Sequence, residues 1–351
     1  MYPLAEGMFA PKNQWYVVAW SDEVTREPIE RYILDEPIAL YRKRDGSPVA
    51  LHGRCPHRSF PLGRSRVVDD NIQCGYHGIT FGPDGSCKDI PSQPQIPKVC
   101  QVASYPLVER WKWIWIWPGD PALADESLLP DHFELGLEDP SYSTGGNIYN
   151  FVPGRYMLLH DNLFDLTHIG YLHMDTFGKG AEADQVPNPA SGANWVESLF
   201  EQIDIETPPV FRSMFNYEGR VDRKFGLRLH APCLHEGGEV LYTGSEEPEP
   251  GKYLGTLKVF HAITPATKTT THYFWGTAFK GNNPDPESVV SMMLQSTQAA
   301  LDEDIMATKC IEEMIQRSDA GRLDELLLRA DNVCVLGRRM MEKMIRAEAE
   351  T

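Results

Sequence analysis

Two short segments of the chain each contain one cysteine and one histidine, Cys55-x-His57 and Cys74-x-x-His77, where x is any residue. Sixteen residues separate His57 from Cys74. A structural zinc site can also use two cysteines and two histidines, but its spacing usually pairs Cys with Cys and His with His. Mixed pairs suit a two-iron cluster better, because two thiolates can hold one iron and two imidazoles the other. The pattern therefore predicts an iron-sulfur cluster held by two turns between strands.

Short strand patterns surround these two segments. Aromatic or β-branched runs cover residues 15–20, 38–41 and 49–51, and Asp45-Gly46 between the last two is a hairpin turn signal. The run from Trp111 to Trp117 has a tryptophan at every second position and predicts a strand that packs on both faces. We therefore expect the N-terminal region to be all-β.

A turn-forming stretch at residues 118–121, Pro-Gly-Asp-Pro, ends this strand pattern. We take it as the predicted domain boundary, with a first domain of residues 1–118 and a second of residues 119–351. A chain of 351 residues is long enough for two cores of ordinary size.

The pattern changes beyond the boundary. Residues 154–174 have helical character, residues 195–280 alternate like the strands of a larger sheet, and residues 286–317 and 322–348 are typical of two helices. The predicted fold class is α+β, with an all-β N-terminal domain and a larger domain in which helices cover an antiparallel sheet.

The charge balance excludes several partners. The chain has 50 Asp and Glu against 33 Lys and Arg, a formal charge of -17, so we expect neither nucleic acid nor an anionic membrane as a partner. No apolar run approaches the roughly 20 residues that span a bilayer, and residues 1–7 lack the features of a secretory signal. Seven cysteines in a long chain without an export signal predict reduced thiols and a cytoplasmic location.

A second group of candidate ligands lies in the helical segment 154–174. Asn162, Asp165 and His168 follow at three-residue steps, which are neighbouring positions along one side of a helix. His173 is five residues from His168 and would point about 140° away on a regular helix. If both imidazoles bind one metal, the helix must bend, bulge or end near Gly170.

A third candidate ligand comes from the acidic run Asp302-Glu303-Asp304 in the predicted helix 286–317. Consecutive helical residues diverge by about 100°, so one of them at most can face a metal. Asp304 shares a stripe with apolar residues, and a buried carboxylate there needs a partner such as a cation. Glu303 is the second choice, and a solvated helix face is the alternative for all three. The stripe consists of Leu301, Asp304, Thr308, Ile311 and Ile315.

Both groups of residues resemble one family. The two Cys-His segments resemble the Rieske motif, and residues 161–168 followed by His173 resemble the catalytic helix of Rieske non-haem iron oxygenases. Residues 13–20, 114–121 and 263–267 resemble the branch that contains the vanillate O-demethylase, dicamba O-demethylase and toluenesulfonate methyl-monooxygenase oxygenase components.

The resemblance implies two metal centres. Cys55, His57, Cys74 and His77 would hold a Rieske 2Fe-2S cluster. A facial triad on mononuclear Fe(II) would leave one face open for oxygen. The resemblance assigns that triad to His168, His173 and Asp304.

The resemblance also implies roles for Asn162 and Asp165 among the catalytic residues. In the family, the aspartate at position 165 links the iron-bound histidine to a cluster histidine of the neighbouring subunit. By that analogy Asp165 would hydrogen-bond His168 and, across an interface, His77, in a ring of subunits that is most simply a homotrimer. The alternative is an ordinary acid that orients His168 within one chain.

The implied reaction is oxidative O-demethylation of a methoxylated aromatic acid with O2. Electrons from NAD(P)H would arrive through a separate ferredoxin or flavin-containing reductase, because the chain has no Gly-rich dinucleotide fingerprint and no plant-type cysteine run. Hydroxylation of a methyl group or of the ring at the same site is the alternative.

Substrate contacts are predicted at His261, in the alternating run 258–263, and at Gln295, nine residues before Asp304. Two other classes of protein stay open at this point. One is an electron carrier whose second domain docks partners, and the other is a zinc-binding interaction protein.

Overall fold

The computed structural model describes residues 8–174, 187–244, 251–318 and 325–350. Its N-terminal part consists of short strands in three small antiparallel sheets, with orders β1-β11-β10, β2-β3-β4-β9 and β5-β6-β7-β8. The first Cys-His segment follows β4, and the second connects β6 to β7. These strands are β1 Tyr16–Trp20, β2 Ile29–Ile33, β3 Glu36–Arg42, β4 Pro48–His52, β5 Arg66–Val68, β6 Asn71–Gln73, β7 Thr80–Phe81, β8 Cys87–Asp89, β9 Ser104–Tyr105, β10 Leu107–Arg110 and β11 Trp113–Ile116.

The larger part contains one seven-stranded sheet of order β12-β18-β17-β16-β15-β14-β13, and each neighbouring pair is antiparallel. This arrangement confirms the predicted α+β class. Its strands are β12 Ser143–Val152, β13 Asn188–Ser191, β14 Trp195–Glu206, β15 Arg220–His230, β16 Leu234–Thr243, β17 Tyr253–Thr267 and β18 Thr270–Gly281.

Helices cover this sheet. The longest, α4, begins where the Asp285 carboxylate accepts the backbone N–H of Ser288, and it packs on β12 and β18. Helix α1 contacts β17, α4 and α5. The helices are α1 Tyr156–Phe164, α2 Ile169–Leu172, α3 Pro209–Phe215, α4 Pro286–Gln316 and α5 Asn332–Ala349. None of the described helices is long and apolar enough to cross a membrane.

The tryptophan-rich strand β11 is buried on both faces, as predicted, with Trp113 and Ile114 fully inaccessible to solvent. It lies in the same hydrophobic core as residues of β17 and β18, and the rings of Trp113 and Phe260 pack edge to face at 6.5 Å. The predicted boundary after residue 118 therefore follows a strand that both parts of the molecule share. The division into domains at that point stays a prediction.

Two predicted helices differ from the structure. The segment 154–174 is not continuous: α1 ends at Phe164, Asp165 is non-helical with φ -94° and ψ 90°, and a 3-10 turn covers Leu166–His168 before α2. The Asp165 carboxylate accepts the backbone N–H of Thr167, a local bond that competes with continuation of the helix. The last helix begins at Asn332 rather than at residue 322, and residues 319–324 lie outside the described chain.

The predicted stripe on α4 is largely correct but wrong at Ile311. Leu301, Asp304, Thr308 and Ile315 are buried, whereas Ile311 is 45% exposed. Glu312 is buried instead, because Arg155 at the start of α1 packs on that edge of α4.

Candidate functional site

The two Cys-His segments adopt the same local turn. The backbone N–H of Ser59 donates to the Cys55 carbonyl at 2.9 Å, and the N–H of Gly78 donates to the Cys74 carbonyl at 3.0 Å. Both donors have positive φ, 56° at Ser59 and 76° at Gly78, which bends each loop back on itself. The two loops therefore present equivalent residues to a common space.

The four candidate cluster ligands are sorted by type within that space. Cys55 and Cys74 are buried next to each other, while His57 and His77 are exposed with ring centroids 4.5 Å apart. Burial raises the pKa of the Cys55 thiol to about 11, and the adjacent Cys74 thiol adds to the rise. Two buried thiols ionise readily only beside a cation, so the pair fits an inner iron and the imidazoles fit an outer one.

A second cluster of ligand types lies between α1, α2 and α4. His168, His173 and Asp304 each offer a ligand atom, and these atoms lie within 4.8 Å of one another. Asp304 Oδ1 is 3.5 Å from His168 Nε2 and 3.2 Å from His173 Nε2. Two atoms that bind one metal at about 2.1 Å are about 3.0 to 3.4 Å apart, so the Asp304–His173 distance fits a shared ion and the Asp304–His168 distance is slightly longer. Two imidazoles and one carboxylate are the donor set of a facial iron site.

The break at Asp165 makes this convergence possible. His168 ends the 3-10 turn, and His173 follows α2 with non-helical φ -100° and ψ 24°. The two rings approach to 5.1 Å between centroids. The expected interruption near Gly170 exists: the helical segment is broken at both ends of the short helix α2, which contains Gly170. Because Asp165 is not helical, the expectation that Asn162, Asp165 and His168 share one helix side is wrong.

Neighbouring groups orient the three side chains. Asn162 Nδ2 donates to Asp304 Oδ1 at 2.8 Å. His168 Nδ1 donates to the backbone carbonyl of Asp165, which directs Nε2 towards Asp304. The Asp165 carboxylate accepts both the N–H and the hydroxyl of Thr167 and does not take part in the contact with His168.

Glu303 does not point at Asp304 or at the space between the two rings. Its Oε2 lies 2.6 Å from His173 Nδ1, on the edge of the ring opposite Asp304. Burial lowers the pKa of His173, but the carboxylates of Asp304 and Glu303 outweigh it and raise the pKa. Glu303 therefore contacts a candidate ligand from outside.

The predicted substrate residues lie in different environments. His261 is buried, its Nδ1 is 2.7 Å from the Tyr273 hydroxyl, and burial lowers its pKa to about 4, so the ring is neutral. The charge of Asp304 acts on both His261 and Tyr273, so they lie near the candidate metal ligands. Gln295 is exposed on α4 and is not part of this buried group.

A buried histidine pair adjoins His261 and was missed in the sequence. His235 lies opposite His261 in the β16–β17 register, and its Nε2 is 2.6 Å from His160 Nδ1. Both His160 and His235 are completely buried. Neither residue belongs to a motif: strand register places His235 beside His261, and the packing of α1 on the sheet brings His160 to His235.

Two buried ion pairs anchor helix α1 and were also missed. Arg155 binds Glu312 of α4 through two nitrogens at 2.6 and 2.7 Å. Arg338 of α5 binds Asp161 at 2.7 Å. These charges occur in ordinary helical patterns that give no sign of pairing across the fold.

Comparisons with known proteins agree with this geometry. The family model described as Vanillate O-demethylase oxygenase C-terminal domain matches residues 152–347, and the model described as Rieske (2Fe-2S) domain matches residues 14–106. The toluene-4-sulfonate monooxygenase system iron-sulfur subunit TsaM1 of Comamonas testosteroni is 31% identical over 345 residues, covering 96% of this chain and 97% of the relative.

Dicamba O-demethylase, oxygenase component, of Stenotrophomonas maltophilia is 34% identical over 343 residues, covering 96% of this chain and 98% of the relative. A crystal structure of dicamba monooxygenase with non-heme iron and dicamba superimposes with a TM-score of 0.80 at 33% identity, covering 97% of this chain and 98% of that one.

Proposed function

The chain belongs to the Rieske non-haem iron oxygenases of the vanillate O-demethylase group, as an oxygenase component with a 2Fe-2S cluster and a mononuclear iron, and we propose that it demethylates a methoxylated aromatic acid. The observation that carries this proposal is the convergence of His168, His173 and Asp304 beside the neutral, buried imidazole of His261. A metal site next to a buried hydrogen-bonding group suits an aromatic substrate that carries one polar substituent.

We assign the cluster to Cys55, His57, Cys74 and His77. The mononuclear iron is assigned to His168, His173 and Asp304. When bound, the cluster supplies single electrons and the mononuclear iron supplies an open position at which O2 is reduced. The buried thiol pair, the exposed imidazole pair and the spacing of the second set support both assignments.

The other residues of the chain hold these ligands in place. The Asn162 amide restrains the Asp304 carboxylate, and the Asp165 carbonyl keeps the proton of His168 on Nδ1. Both bonds leave the ligand atoms facing each other, so the site needs little rearrangement to bind iron.

His261 is proposed to donate a hydrogen bond to the substrate carboxylate. Gly237 on the neighbouring strand leaves space there, because a Cβ at this glycine would touch His261 Nε2 at 3.7 Å. The expected contact at Gln295 is not proposed further, because this exposed side chain lies nine residues before Asp304, about 180° away around α4.

The proposed reaction consumes one O2 and two electrons with two protons. One oxygen atom is inserted into a C–H bond of the methoxy group, and the other is reduced to water. The resulting hemiacetal collapses to a phenol and formaldehyde.

Formaldehyde release tests this reaction. The complete chain with a reductase, NADH and a series of methoxybenzoates should give formaldehyde and the matching phenol in equal amounts. A hydroxymethyl or dihydroxylated product without formaldehyde would replace demethylation by the hydroxylation alternative. Iron at the cluster alone, after incubation with ferrous salt, would refute the oxygenase assignment.

Electron transfer between subunits is proposed to run from His77 of one subunit to Asp165 and His168 of the next, in a homotrimer. Support comes from the exposure of the His57 and His77 rings and from the position of Asp165, whose carbonyl accepts from His168. The exposed Tyr171, next to this site, adds apolar surface for such a contact.

A mixing experiment tests this path. Neither the Cys74→Ser variant nor the Asp304→Ala variant should turn over alone. In trimers reassembled from equal amounts of both, an Asp304→Ala subunit supplies the cluster and a neighbouring Cys74→Ser subunit supplies the mononuclear iron. Random assortment places them in this order at about a quarter of the subunit contacts, and these contacts should be active. Inactive mixed trimers would refute transfer between subunits, and sedimentation analysis would confirm that mixing occurred.

An oxygenase component requires a separate electron donor. Four exposed arginines, Arg54, Arg58, Arg64 and Arg66, lie in and beside the first cluster loop of a chain with a formal charge of -17. We propose that an acidic ferredoxin or a reductase docks on this basic surface. None of the seven cysteines, all of which the structure describes, forms a disulfide, and this supports the proposal of a cytoplasmic location.

A further inference from the structure

We propose that Glu303 is a positioning residue for the iron centre: it holds the His173 ring through Nδ1 and thereby strengthens iron binding at Nε2. The inference rests on the proposed assignment of His173 and Asp304 as ligands. It gives Glu303 a role distinct from that of its neighbour on α4.

Two consecutive carboxylates lie at opposite edges of one imidazole. Asp304 Oδ1 is 3.2 Å from His173 Nε2, and Glu303 Oε2 is 2.6 Å from Nδ1. A helix turns by about 100° per residue, so Asp304 reaches the ring from the metal side and Glu303 from the other side. The ring is buried with 2% of its side chain exposed, so it has little freedom to rotate away from this pair.

The hydrogen bond to Glu303 determines which nitrogen carries the proton. A carboxylate accepts only, so Nδ1 must donate, and the lone pair of Nε2 then faces Asp304 Oδ1. Two acceptors facing each other at this distance repel unless a proton or a metal ion lies between them. Glu303 therefore prepares the Nε2 lone pair for a metal ion.

The two candidate histidine ligands differ in their outer partners. His168 donates to a neutral backbone carbonyl, whereas His173 donates to a charged carboxylate. A negative partner makes an imidazole a stronger donor to a metal. Together Asp304 and Glu303 supply two negative charges, which match the charge of a ferrous ion.

Substitution at Glu303 should leave the fold intact, because its side chain is 30% exposed. Asp302 is the matched control. It precedes Glu303, has the same charge, is exposed, and bonds Gln298 at 2.7 Å one turn earlier on α4.

The test compares the full-length protein with three variants, each with its cluster present and counted by visible absorbance. Competition with a ferrous chelator under anaerobic conditions gives the dissociation constant for Fe(II). Glu303→Ala should weaken iron binding about 10- to 100-fold. Glu303→Gln should lose less, because its amide oxygen keeps the bond but not the charge, and Asp302→Asn should stay within about twofold.

A spectroscopic measurement separates orientation from general charge. The electron spin resonance spectrum of the ferrous site with nitric oxide should change in Glu303→Ala and stay like wild type in Asp302→Asn. The inference about Glu303 would be overturned if Glu303→Ala bound Fe(II) as tightly as wild type, or if Asp302→Asn lost as much Fe(II) affinity as Glu303→Ala. Either result would leave the proposed function standing. If Glu303→Ala does not fold, Glu303→Gln decides in the same way. A wild-type chain that binds no second iron would overturn the proposed function as well.

Discussion

The two candidate metal regions are built in opposite ways. The candidate cluster ligands lie on two loops within residues 55–77, and each loop is shaped by a hydrogen bond between residues four apart. The candidate mononuclear ligands come from segments about 130 residues apart in sequence and are gathered by helix packing. The cluster imidazoles are exposed, whereas His173 and Asp304 are buried.

This difference shows what each region depends on. The cluster loops need only their own turns and the small sheets that carry them. The mononuclear site needs the break at Asp165, the position of α4 and the ion pairs that hold α1 against α4 and α5. We therefore expect the two regions to fail independently.

The largest effect is expected from Cys74→Ser, which removes one thiolate from the cluster. The visible absorbance of the cluster should disappear and turnover with a reductase should fall to the assay background. Iron at the mononuclear site should stay at about one per chain, because its three candidate ligands, His168, His173 and Asp304, belong to the helical segments of the larger part and not to the cluster loops. Loss of both metals in this variant would contradict the independence of the two regions.

The reciprocal change is Asp304→Ala. Removing the carboxylate leaves two imidazoles, so Fe(II) affinity should fall by at least about 100-fold while cluster absorbance is unchanged. Metal analysis of the purified protein checks both values. A variant that kept its full iron content would remove Asp304 from the ligand set.

Asp165→Asn should separate electron transfer from metal binding. Asparagine can keep the bond to the Thr167 N–H, and the backbone carbonyl that binds His168 is unchanged. Both metals should therefore stay bound, while turnover falls about 10- to 100-fold because the carboxylate is lost. Steady-state oxygen uptake measures the loss, and uptake at the wild-type rate would exclude a role for the side chain.

Glu312→Gln tests whether long-range ion pairs stabilise the catalytic region. Arg155 and Glu312 are both mostly buried, and glutamine leaves the Arg155 charge without its partner. We expect a loss of about 1 to 3 kcal/mol in the free energy of unfolding of this region, measured with denaturant. The control is Arg64→Gln near the cluster, where Arg64 pairs with Glu30 but is itself 73% exposed, so about 0.5 kcal/mol or less should be lost. Equal losses of unfolding free energy in Glu312→Gln and Arg64→Gln would contradict the expected difference between a buried and an exposed ion pair.

The smallest effect concerns pH. Burial raises the pKa of Glu312, but its bonds to Arg155 outweigh this and lower the pKa below its ordinary value. A lowered pKa means that the stabilisation is complete above the unfolded value, about 4.3, and is lost as the pH falls through the folded value. The difference in melting temperature between wild type and Glu312→Gln should therefore shrink below about pH 4.3. A constant difference would show that the charge of Glu312 does not matter.

The same contrast explains how far sequence reasoning succeeded. The α+β class, the family and its two cofactors were predicted correctly. The stripe on α4 correctly included Asp304 but wrongly included Ile311. It also missed Glu312, because the burial of Glu312 depends on where Arg155 packs. The predicted helix at 154–174 was wrong at Asp165, where one side chain bond to Thr167 outweighs helical propensity.

The amino-acid sequence alone determined which residue types lie in the two cluster loops, because turns and short spacings are properties of neighbouring residues. It also restricted the candidates for a third mononuclear ligand to three acids, Asp302, Glu303 and Asp304. Only the tertiary structure decided that Asp304 meets the two histidines, that Glu303 contacts His173 from outside and that His235 lies beside His261. These contacts depend on helix packing and strand register, which arise from burial across the whole chain and leave no local pattern.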